Sequence, residues 1–345
     1  MNTAYQWAGI IGHSQTISML RRMLQSGDIQ HAMLFTGPDG VGKFTVAKIL
    51  AAGILCENHD QGEACGICSS CRMLVRGAHP DLYQLSPEGS SIKIDQIRSM
   101  QREMAMSPFH SQKRVCIIET AETMTEQAAN SLLKVLEEPP AYLAFILTSS
   151  QRYRLLDTVI SRCRLFPFQP VSPDLIADTL INKGIESKKA LAAARLSGGR
   201  IGAAHTFAAI GGLDARDKAV AILSRLSADK SQNLLDIAAA LYEKEDKAAA
   251  QLMPHLSMLI RDLAVLKTAQ PQPLVFNIDI IEQLALLAKN WSEDALSSSY
   301  AGLRQAERAL AGNANARLTS EALIIQLNEY IKGGKPVANS SGSPV

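Results

Sequence analysis

The sequence predicts an α/β fold: a P-loop core with a parallel sheet, followed by a small helical lid and an all-α C-terminal region. A glycine-rich loop, G-P-D-G-V-G-K at 37–43, stands between a strand-like run and a helix-like run. Further short apolar runs alternate with helical patterns as far as residue 168, the order that builds a parallel sheet. Beyond that point the chain is rich in Ala and Leu at helical spacing, without strand-like alternation.

The glycine-rich loop has the spacing G-x-x-x-x-G-K of a phosphate-binding P-loop. Gly37, Gly40 and Gly42 permit the tight turns that point successive backbone N–H groups at an anion. Lys43 is predicted to reach the β and γ phosphates, while the following helix adds the positive end of its dipole. The alternative interpretation is a plain glycine turn between a strand and a helix.

One position in the loop departs from the motif. The residue after the lysine is normally Ser or Thr, whose hydroxyl holds Mg²⁺. Here it is Phe44, and Thr45 stands one place later, about 100° further round the helix. The sequence therefore predicts a P-loop fold whose own catalysis is impaired.

Composition and charge narrow the class of protein. The chain has 345 residues, of which 47% are hydrophobic and 20% charged, as in soluble globular proteins. No apolar run approaches the roughly 20 residues of a membrane span, and the first seven residues lack the pattern of a signal peptide. A cytoplasmic protein is expected, with no membrane partner. The net charge of +2 gives no argument for nucleic-acid binding by bulk charge.

Four of the six cysteines form a compact group: Cys56, Cys65, Cys68 and Cys71, spaced C-x8-C-x2-C-x2-C. In a reducing compartment such a group favours metal binding over disulfides. Four thiolates suit a tetrahedral structural Zn²⁺ site with no open position for catalysis. The rival is an iron–sulfur cluster, but the further Cys-Pro typical of a ferredoxin-like run is missing.

Two further buried strands are predicted to carry polar residues at their carboxyl ends. The run 113–119 ends at Glu119, and Glu122 follows, which is where a Walker B element places acidic residues for Mg²⁺ or water. The run 144–148 ends at Thr148, whose hydroxyl is expected to face a γ-phosphate, because ligands bind at this edge of a parallel sheet. The alternative for both glutamates is a solvated strand end.

The predicted organisation has four parts. Residues 1–168 form the nucleotide-binding core, with the zinc-binding insert at 56–71. Residues 169–210 are predicted to be a small helical lid; paired glycines interrupt the helical pattern at 198–199 and again at 211–212, just after this segment. Residues 211–332 form the helical C-terminal domain, and 333–345, rich in Gly, Pro and Ser, are expected to be a disordered tail.

Taken together, these motifs resemble the AAA+ clamp-loader family. The resemblance runs from about residue 7 to residue 332 and is strongest over 31–168. It depends on the P-loop, the cysteine insert and the triplet H-P-D at 79–81. It also depends on the run N-S-L-L-K-V-L-E-E-P-P at 130–140 and the triplet S-R-C at 161–163, which are highly specific as a pair.

The resemblance implies a RecA-like ATPase core, a small lid and a helical collar that joins five subunits in a ring. Implied partners are motor subunits of the gamma/tau kind, delta-like subunits, and, through the assembly, a sliding clamp and primed DNA. The arginine of S-R-C, Arg162, would act in trans as an arginine finger on the ATP of a neighbouring motor subunit, offsetting charge in phosphoryl transfer. Without the resemblance, Arg162 would be interpreted as a surface arginine in a turn.

The chain departs from the motor members of this family at three positions. They carry Ser or Thr where this chain has Phe44, and an acidic residue where it has Thr120. Their sensor arginine opens the last helix of the lid and would align with Gly202, about half a helical turn from Arg200. These departures predict a stator, that is, a subunit that keeps the nucleotide-binding fold and provides an arginine to its neighbour's ATP, without being a good ATPase itself.

Two alternatives remain open on the sequence. The first is an active motor subunit, with Glu119 and Glu122 on Mg²⁺ and Thr45 in place of the missing hydroxyl; Phe44 argues against it. The second is a zinc-dependent nucleic-acid binder, although the cysteine segment lacks a cluster of basic and aromatic residues. ATP with Mg²⁺ is a candidate ligand under either clamp-loader hypothesis.

Overall fold

The computed structural model describes residues 5–59, 61–209, 211–228, 233–239, 241, 248–268, 274–312 and 314–333. Of the predicted tail at 333–345, all but Gly333 lies outside the described residues. The chain divides into two compact units, one of Met1–Thr179 with Ser197–Ala204 and the other of Leu180–Leu196 with His205–Val345. The domain boundaries predicted at 168 and 210 stay a prediction.

The first unit is built on a five-stranded sheet with the order β2-β3-β4-β1-β5, in which all neighbouring strands are parallel. The strands are β1 (Ala32–Thr36), β2 (Leu82–Leu85), β3 (Arg114–Ile118), β4 (Leu143–Ser149) and β5 (Arg164–Pro167). Each coincides with an apolar run that the sequence predicts as a strand, at 31–36, 82–85, 113–119, 144–148 and 164–168. Because parallel strands meet with their carboxyl ends at one edge, the residues after β1, β3 and β4 share that edge.

Both faces of the sheet are buried, which explains why its strands are almost continuously apolar. Alternate residues point to opposite faces. Met33 and Phe35 of β1 belong to one apolar cluster, with the helices that precede and follow that strand. Ala32 and Leu34 belong to the cluster on the other face.

Six helices lie wholly in the first unit. They are α1 (Ser14–Ser26), α2 (Lys43–Leu55), α3 (Ser69–Val75), α4 (Ile94–Met104), α5 (Glu126–Glu137) and α6 (Asp157–Ile160). Helices were predicted at 15–25, 45–55, 94–106 and 127–138, which correspond to α1, α2, α4 and α5. The short helices α3, which begins in the cysteine insert, and α6 have no predicted counterpart. The α/β P-loop core predicted from the sequence is therefore confirmed.

The second unit is helical in the residues described. It includes α8 (Ser187–Leu196) and a group from α10 to α15, whereas α7 (Pro173–Asn182) and α9 (Ile201–Ala208) cross the boundary between units. The group comprises α10 (Asp214–Ser227), α11 (Leu234–Ala239), α12 (Ala248–Lys267), α13 (Ile281–Ala288), α14 (Glu293–Ala311) and α15 (Ala316–Ile331). They share one apolar cluster around the buried Trp291, as predicted for an all-α region. Among the described helices, none has the length and apolar character needed to cross a bilayer.

Candidate functional site

The P-loop joins the end of β1 to the start of α2. Gly37, Gly40 and Gly42 all have positive φ, at 146°, 74° and 104°. At Gly37 a side chain is also excluded by packing, because an added Cβ would stand 2.1 Å from the carbonyl oxygen of Phe168. Gly42 is the N-cap of α2 and supplies no side-chain cap, so the first N–H groups of this helix remain available to an anion.

Lys43 begins α2 and is 7% exposed. Its Nζ donates hydrogen bonds to the carbonyl oxygens of Gly37 and Pro38, both at 2.7 Å. Burial lowers the pKa of Lys43, and the negative charges of Asp39 and Glu122 oppose that shift. The ammonium group thus lies within the loop, where it can exchange its carbonyl partners for phosphate oxygens.

The two residues after the lysine differ in environment. Phe44 is partly buried against the apolar cluster under the P-loop helix, and Nζ of Lys48 lies 4.3 Å from its ring centre. Thr45 is exposed. The side chain at the usual Mg²⁺-ligand position is therefore an aromatic ring that packs, and it offers no oxygen to a metal.

The two candidate acidic residues after β3 also differ. Glu119 accepts a hydrogen bond from the hydroxyl of Ser86 at 3.1 Å. Glu122 is buried, and its Oε1 accepts hydrogen bonds from the backbone N–H of Ser150 at 2.9 Å and its hydroxyl at 2.5 Å. Burial opposes ionisation of Glu122, but these hydrogen bonds outweigh it and lower its pKa. Since its charge also acts on Lys43, Glu122 is the carboxylate that belongs to the P-loop region.

Glu122 also keeps one oxygen uncommitted. Its buried Oε2 has no hydrogen-bond partner among the described residues. A buried carboxylate oxygen without a partner is costly, and such atoms commonly mark a place for water or an ion. The carboxylate is thus suited to orient water or a cation beside the P-loop.

Thr148, near the end of β4, is buried and already engaged. Its Oγ1 accepts a hydrogen bond from the backbone N–H of Thr120 at 3.2 Å. Thr120 itself has a left-handed backbone, with φ of 48°. The hydroxyl of Thr148 therefore fixes the turn after β3, and its predicted role toward a γ-phosphate stays a prediction.

Residues outside the motif hold the P-loop in place. His13 precedes α1 with φ of 56°, and its Nε2 lies 3.0 Å from the carbonyl oxygen of Val41. From the segment 197–204, the N–H of Gly202 donates to the carbonyl of Gly40 at 3.3 Å. A Cβ on Gly40 would meet the Cβ of Arg200 at 3.4 Å. Arg200 is thus packed beside the P-loop, and its predicted displacement from a sensor position stays a prediction.

The four cysteines of the insert converge on one point. Their sulfur atoms all lie within 4.8 Å of one another, and three pairs are separated by 3.7, 3.9 and 4.0 Å. A tetrahedron with Zn–S bonds of about 2.3 Å has S···S edges of about 3.8 Å. The donor set and its spacing therefore fit a metal ion held by Cys56, Cys65, Cys68 and Cys71.

Local backbone structure presents these sulfurs. Backbone N–H groups donate to three of them: that of Cys65 to Cys56, that of Cys68 to Cys65, and that of Cys71 to Cys68. Burial raises the pKa of Cys56 to about 11. For Cys65 burial acts in the same direction, but hydrogen bonds outweigh it and the pKa falls to about 7. Such N–H···S contacts orient and stabilise thiolate ligands.

Arg162 follows α6 at the surface of the first unit. Its Nη1 donates to the carbonyl of Thr158 at 2.8 Å and its Nη2 to Oε1 of Glu137 at 2.5 Å. The Arg162 side chain is 33% exposed and that of Glu137 is 49% exposed. The guanidinium is therefore tethered at the surface and remains open to solvent.

The structure thus forms two separate groups from the predicted site residues, with Arg162 apart from both. The P-loop glycines, Lys43 and Glu122 form one group, and the four cysteines form the other. Sequence reasoning missed His13 and Glu137. His13 carries no motif, whereas Glu137 lies in the run 130–140 but was given no role of its own. Ser150 was predicted to lie at the carboxyl end of a strand with its hydroxyl toward a phosphate, and the structure shows that hydroxyl donating to Glu122.

A solved structure of a gamma subunit-related protein from Thermotoga maritima superposes with a TM-score of 0.51 at 19% identity, covering 92% of this chain and 99% of that one. At this identity the likeness shows the fold alone. Together with the parallel sheet and the P-loop after β1, it defines a P-loop protein with an α/β fold.

The family model described as DNA polymerase III, delta subunit, matches residues 12–172. DNA polymerase III subunit delta' of Escherichia coli is 30% identical to this chain over 317 residues, which span 90% of this chain and 92% of that protein. Subunit delta' of Bacillus subtilis is 29% identical over 317 residues, which span 91% of this chain and 96% of that protein. The chain belongs to the family of DNA polymerase III delta-prime subunits, and the clamp-loader resemblance is confirmed.

Proposed function

We propose that the chain is a stator of a bacterial clamp loader, which gives Arg162 to the nucleotide of a neighbouring motor subunit and hydrolyses little ATP itself. In this role its partners are gamma/tau-like motor subunits and a delta-like subunit, and the assembly loads a sliding clamp onto primed DNA in the cytoplasm. The names of its relatives support this assignment, since they are delta-prime subunits matched over about nine-tenths of both chains.

The observation that carries the proposal is the state of Arg162. Arginine has five N–H donors in a planar fork. Two of them are engaged, by the carbonyl of Thr158 and the carboxylate of Glu137, and the partly exposed guanidinium leaves the others available to an anion. A guanidinium is suited to the charge that spreads over phosphoryl oxygens in the transition state.

The chain's own P-loop is proposed to hold phosphate without efficient hydrolysis. The residues proposed for the nucleotide are Gly37, Gly40, Gly42, Lys43, Phe44, Thr45, Glu119, Glu122 and Thr148. Positive-φ glycines and a lysine inside the loop fit the phosphates, whereas Phe44 gives no oxygen for Mg²⁺. An active motor subunit is the second candidate, because Glu122 is buried beside the P-loop with one oxygen unpartnered.

The cysteine insert is proposed to bind one structural Zn²⁺ through Cys56, Cys65, Cys68 and Cys71. All four positions are thiols, so the ion would have no open coordination site and would stabilise the local fold. The proposed organisation is a core at 1–168, a lid at 169–210 and a collar at 211–332 that joins the ring.

The experiment that tests the stator role compares Arg162→Ala and Arg162→Lys with wild type in the reconstituted loader. Arginine fingers contribute about 10³–10⁵ in rate; a ring with several contributing sites should lose less. We expect Arg162→Ala to assemble normally by gel filtration, to lower DNA-stimulated ATPase activity, and to be rescued poorly by lysine, whose point charge lacks the fork. Wild-type rates of ATP hydrolysis and clamp loading by the assembled mutant would exclude the role.

A further inference from the structure

Arg162 is held by groups from two helices. Thr158 lies in α6, and its carbonyl oxygen accepts a hydrogen bond from Nη1 of Arg162, which comes four residues later in the chain. Glu137 is the last residue of α5, and its carboxylate accepts from Nη2 at 2.5 Å. The two helices pack together, since Leu132 and Leu136 of α5 share an apolar cluster with Val159 of α6. The two acceptors are therefore fixed relative to each other by the core.

The Arg162–Glu137 pair has little to contribute to stability. Both side chains are partly exposed, at 33% and 49%, and exposed ion pairs contribute little because water screens them and the side chains lose freedom. The pair does restrict the guanidinium, however. A long side chain with many rotamers is held by one backbone carbonyl and one carboxylate, so its remaining N–H donors keep a defined direction.

We propose that Glu137 is a positioning residue for Arg162, holding the guanidinium so that it meets the neighbouring nucleotide without first losing rotamer freedom. The proposal rests on the stator role of Arg162 proposed above. The alternative is competition, in which the carboxylate binds the guanidinium in place of the phosphate and lowers the rate. The two effects give opposite signs when the carboxylate is removed, which makes the proposal testable.

The experiment uses the whole reconstituted loader with ATP and primed DNA, and measures kcat and KM for ATP. Glu137→Ala removes the acceptor, and Glu137→Gln keeps an acceptor oxygen at nearly the same volume. The matched control is Glu138→Gln, which removes the neighbouring exposed carboxylate. We expect Glu137→Ala to lower kcat about tenfold, less than the ~10²-fold that a 1 Å misplacement can cost. Glu137→Gln should lose less, and Glu138→Gln should match wild type.

Two further readouts separate positioning from a structural role. KM for ATP should stay unchanged, because a group acting in the transition state alters kcat. In the Arg162→Ala background, Glu137→Ala should cause no additional loss, since a positioning residue acts only through the arginine. A higher rate with Glu137→Ala would overturn the proposal in favour of competition, and a wild-type rate, or losses that add to those of Arg162→Ala, would overturn it as well.

The outcome also separates this inference from the stator proposal. If Arg162→Ala lowers the rate while both Glu137 variants leave it at the wild-type value, only the positioning role fails. If Arg162→Ala itself has no effect, the stator role fails and the positioning role with it. Gel filtration of each variant establishes assembly first, and Glu137→Gln, with its nearly unchanged volume, keeps the test decisive if the alanine variant assembles poorly.

Discussion

The carboxylate of Asp81 lies 3.7 Å from Nε of Arg114, and both side chains are buried. The oxygens of Asp81 also accept the backbone N–H groups of Phe109, His110 and Ser111, at 2.7, 2.8 and 2.8 Å. The triplet H-P-D therefore has a structural role: its aspartate closes the loop between α4 and β3 against the edge strand of the sheet.

The same triplet supports the cysteine insert. Nδ1 of His79 accepts from the backbone N–H of Asp81 at 3.1 Å, so its Nε2 carries the proton and faces the hydroxyl of Ser70 at 2.7 Å. That hydroxyl donates to the carbonyl of Leu55 at 2.6 Å. Since Ser70 precedes Cys71 and Leu55 precedes Cys56, this network fixes the chain at two of the four cysteines.

Asp81→Asn should destabilise the chain and change its response to acid. Breaking a buried pair by removing one charge costs about 3–5 kcal/mol, and asparagine keeps one acceptor oxygen, so we expect about 3 kcal/mol at pH 7. Burial raises the pKa of Asp81, but the three N–H donors outweigh it and the net pKa is lowered from 3.8. Its contribution is therefore present above pH 3.8 and lost as the pH falls through the lower, folded-state value.

Urea unfolding at pH 7 and at several values below pH 4 checks this prediction. The control is Asp95→Asn, because Asp95 on α4 is 89% exposed and 3.9 Å from Arg98, an exposed pair expected to contribute about 0–1 kcal/mol. Equal free energies of unfolding for the two variants at pH 7 would contradict the role given to Asp81.

Zinc binding is the second prediction. The four sulfurs stand at the separations of a tetrahedral site, so protein purified without chelator should carry about one equivalent of zinc per chain. Cys68→Ser should remove most of the metal and loosen the insert, measured by elemental analysis and by proteolysis within residues 56–75. Cys163→Ser, outside the cluster, is the control. Zinc content unaffected by Cys68→Ser would mean that the metal binds elsewhere.

The third prediction compares two P-loop glycines. Gly37 and Gly42 both have positive φ, but a Cβ at Gly37 would meet the Phe168 carbonyl at 2.1 Å, whereas at Gly42 it would meet nothing within 4 Å. Backbone strain costs about 1–3 kcal/mol, and overpacking adds about 1–3 kcal/mol. Gly37→Ala should therefore lower the free energy of unfolding by about 2 kcal/mol more than Gly42→Ala. If chemical denaturation shows that the two variants lose similar free energies of unfolding, the loop must move away from Phe168 to make room for the added methyl group.

Much of the first unit could be predicted because its elements are marked locally. Apolar runs bounded by turns predicted all five strands, and the P-loop fixed where α2 begins. The seven-residue α3 was missed because its residues were interpreted as metal ligands and a turn, and so short a helix has little periodicity of its own.

The environment of each site residue was less predictable, because it depends on packing between distant segments. Arg162 and Glu137 are 25 residues apart and meet only because α5 packs on α6. Glu119 and Glu122 looked equivalent in the sequence, but only Glu122 is buried and bonded to Ser150 beyond β4. The left-handed conformation of His13, a non-glycine residue, carries no sequence signal that would distinguish it.

The last prediction is that the purified chain hydrolyses ATP negligibly. Phe44 packs where a hydroxyl ligand to Mg²⁺ is needed, and Thr120, with its left-handed backbone, stands where the clamp-loader resemblance predicts an acidic residue for an active motor. Phe44→Thr alone should not restore full turnover, because Arg200 lies two residues before the predicted sensor position and its Nε donates to the carbonyl of Ser197 at 2.8 Å. Steady-state ATPase assays of wild type, Phe44→Thr and Lys43→Ala test this. Robust wild-type turnover that Lys43→Ala abolishes would establish the motor role instead, whereas turnover that survives Lys43→Ala would point to a contaminating ATPase.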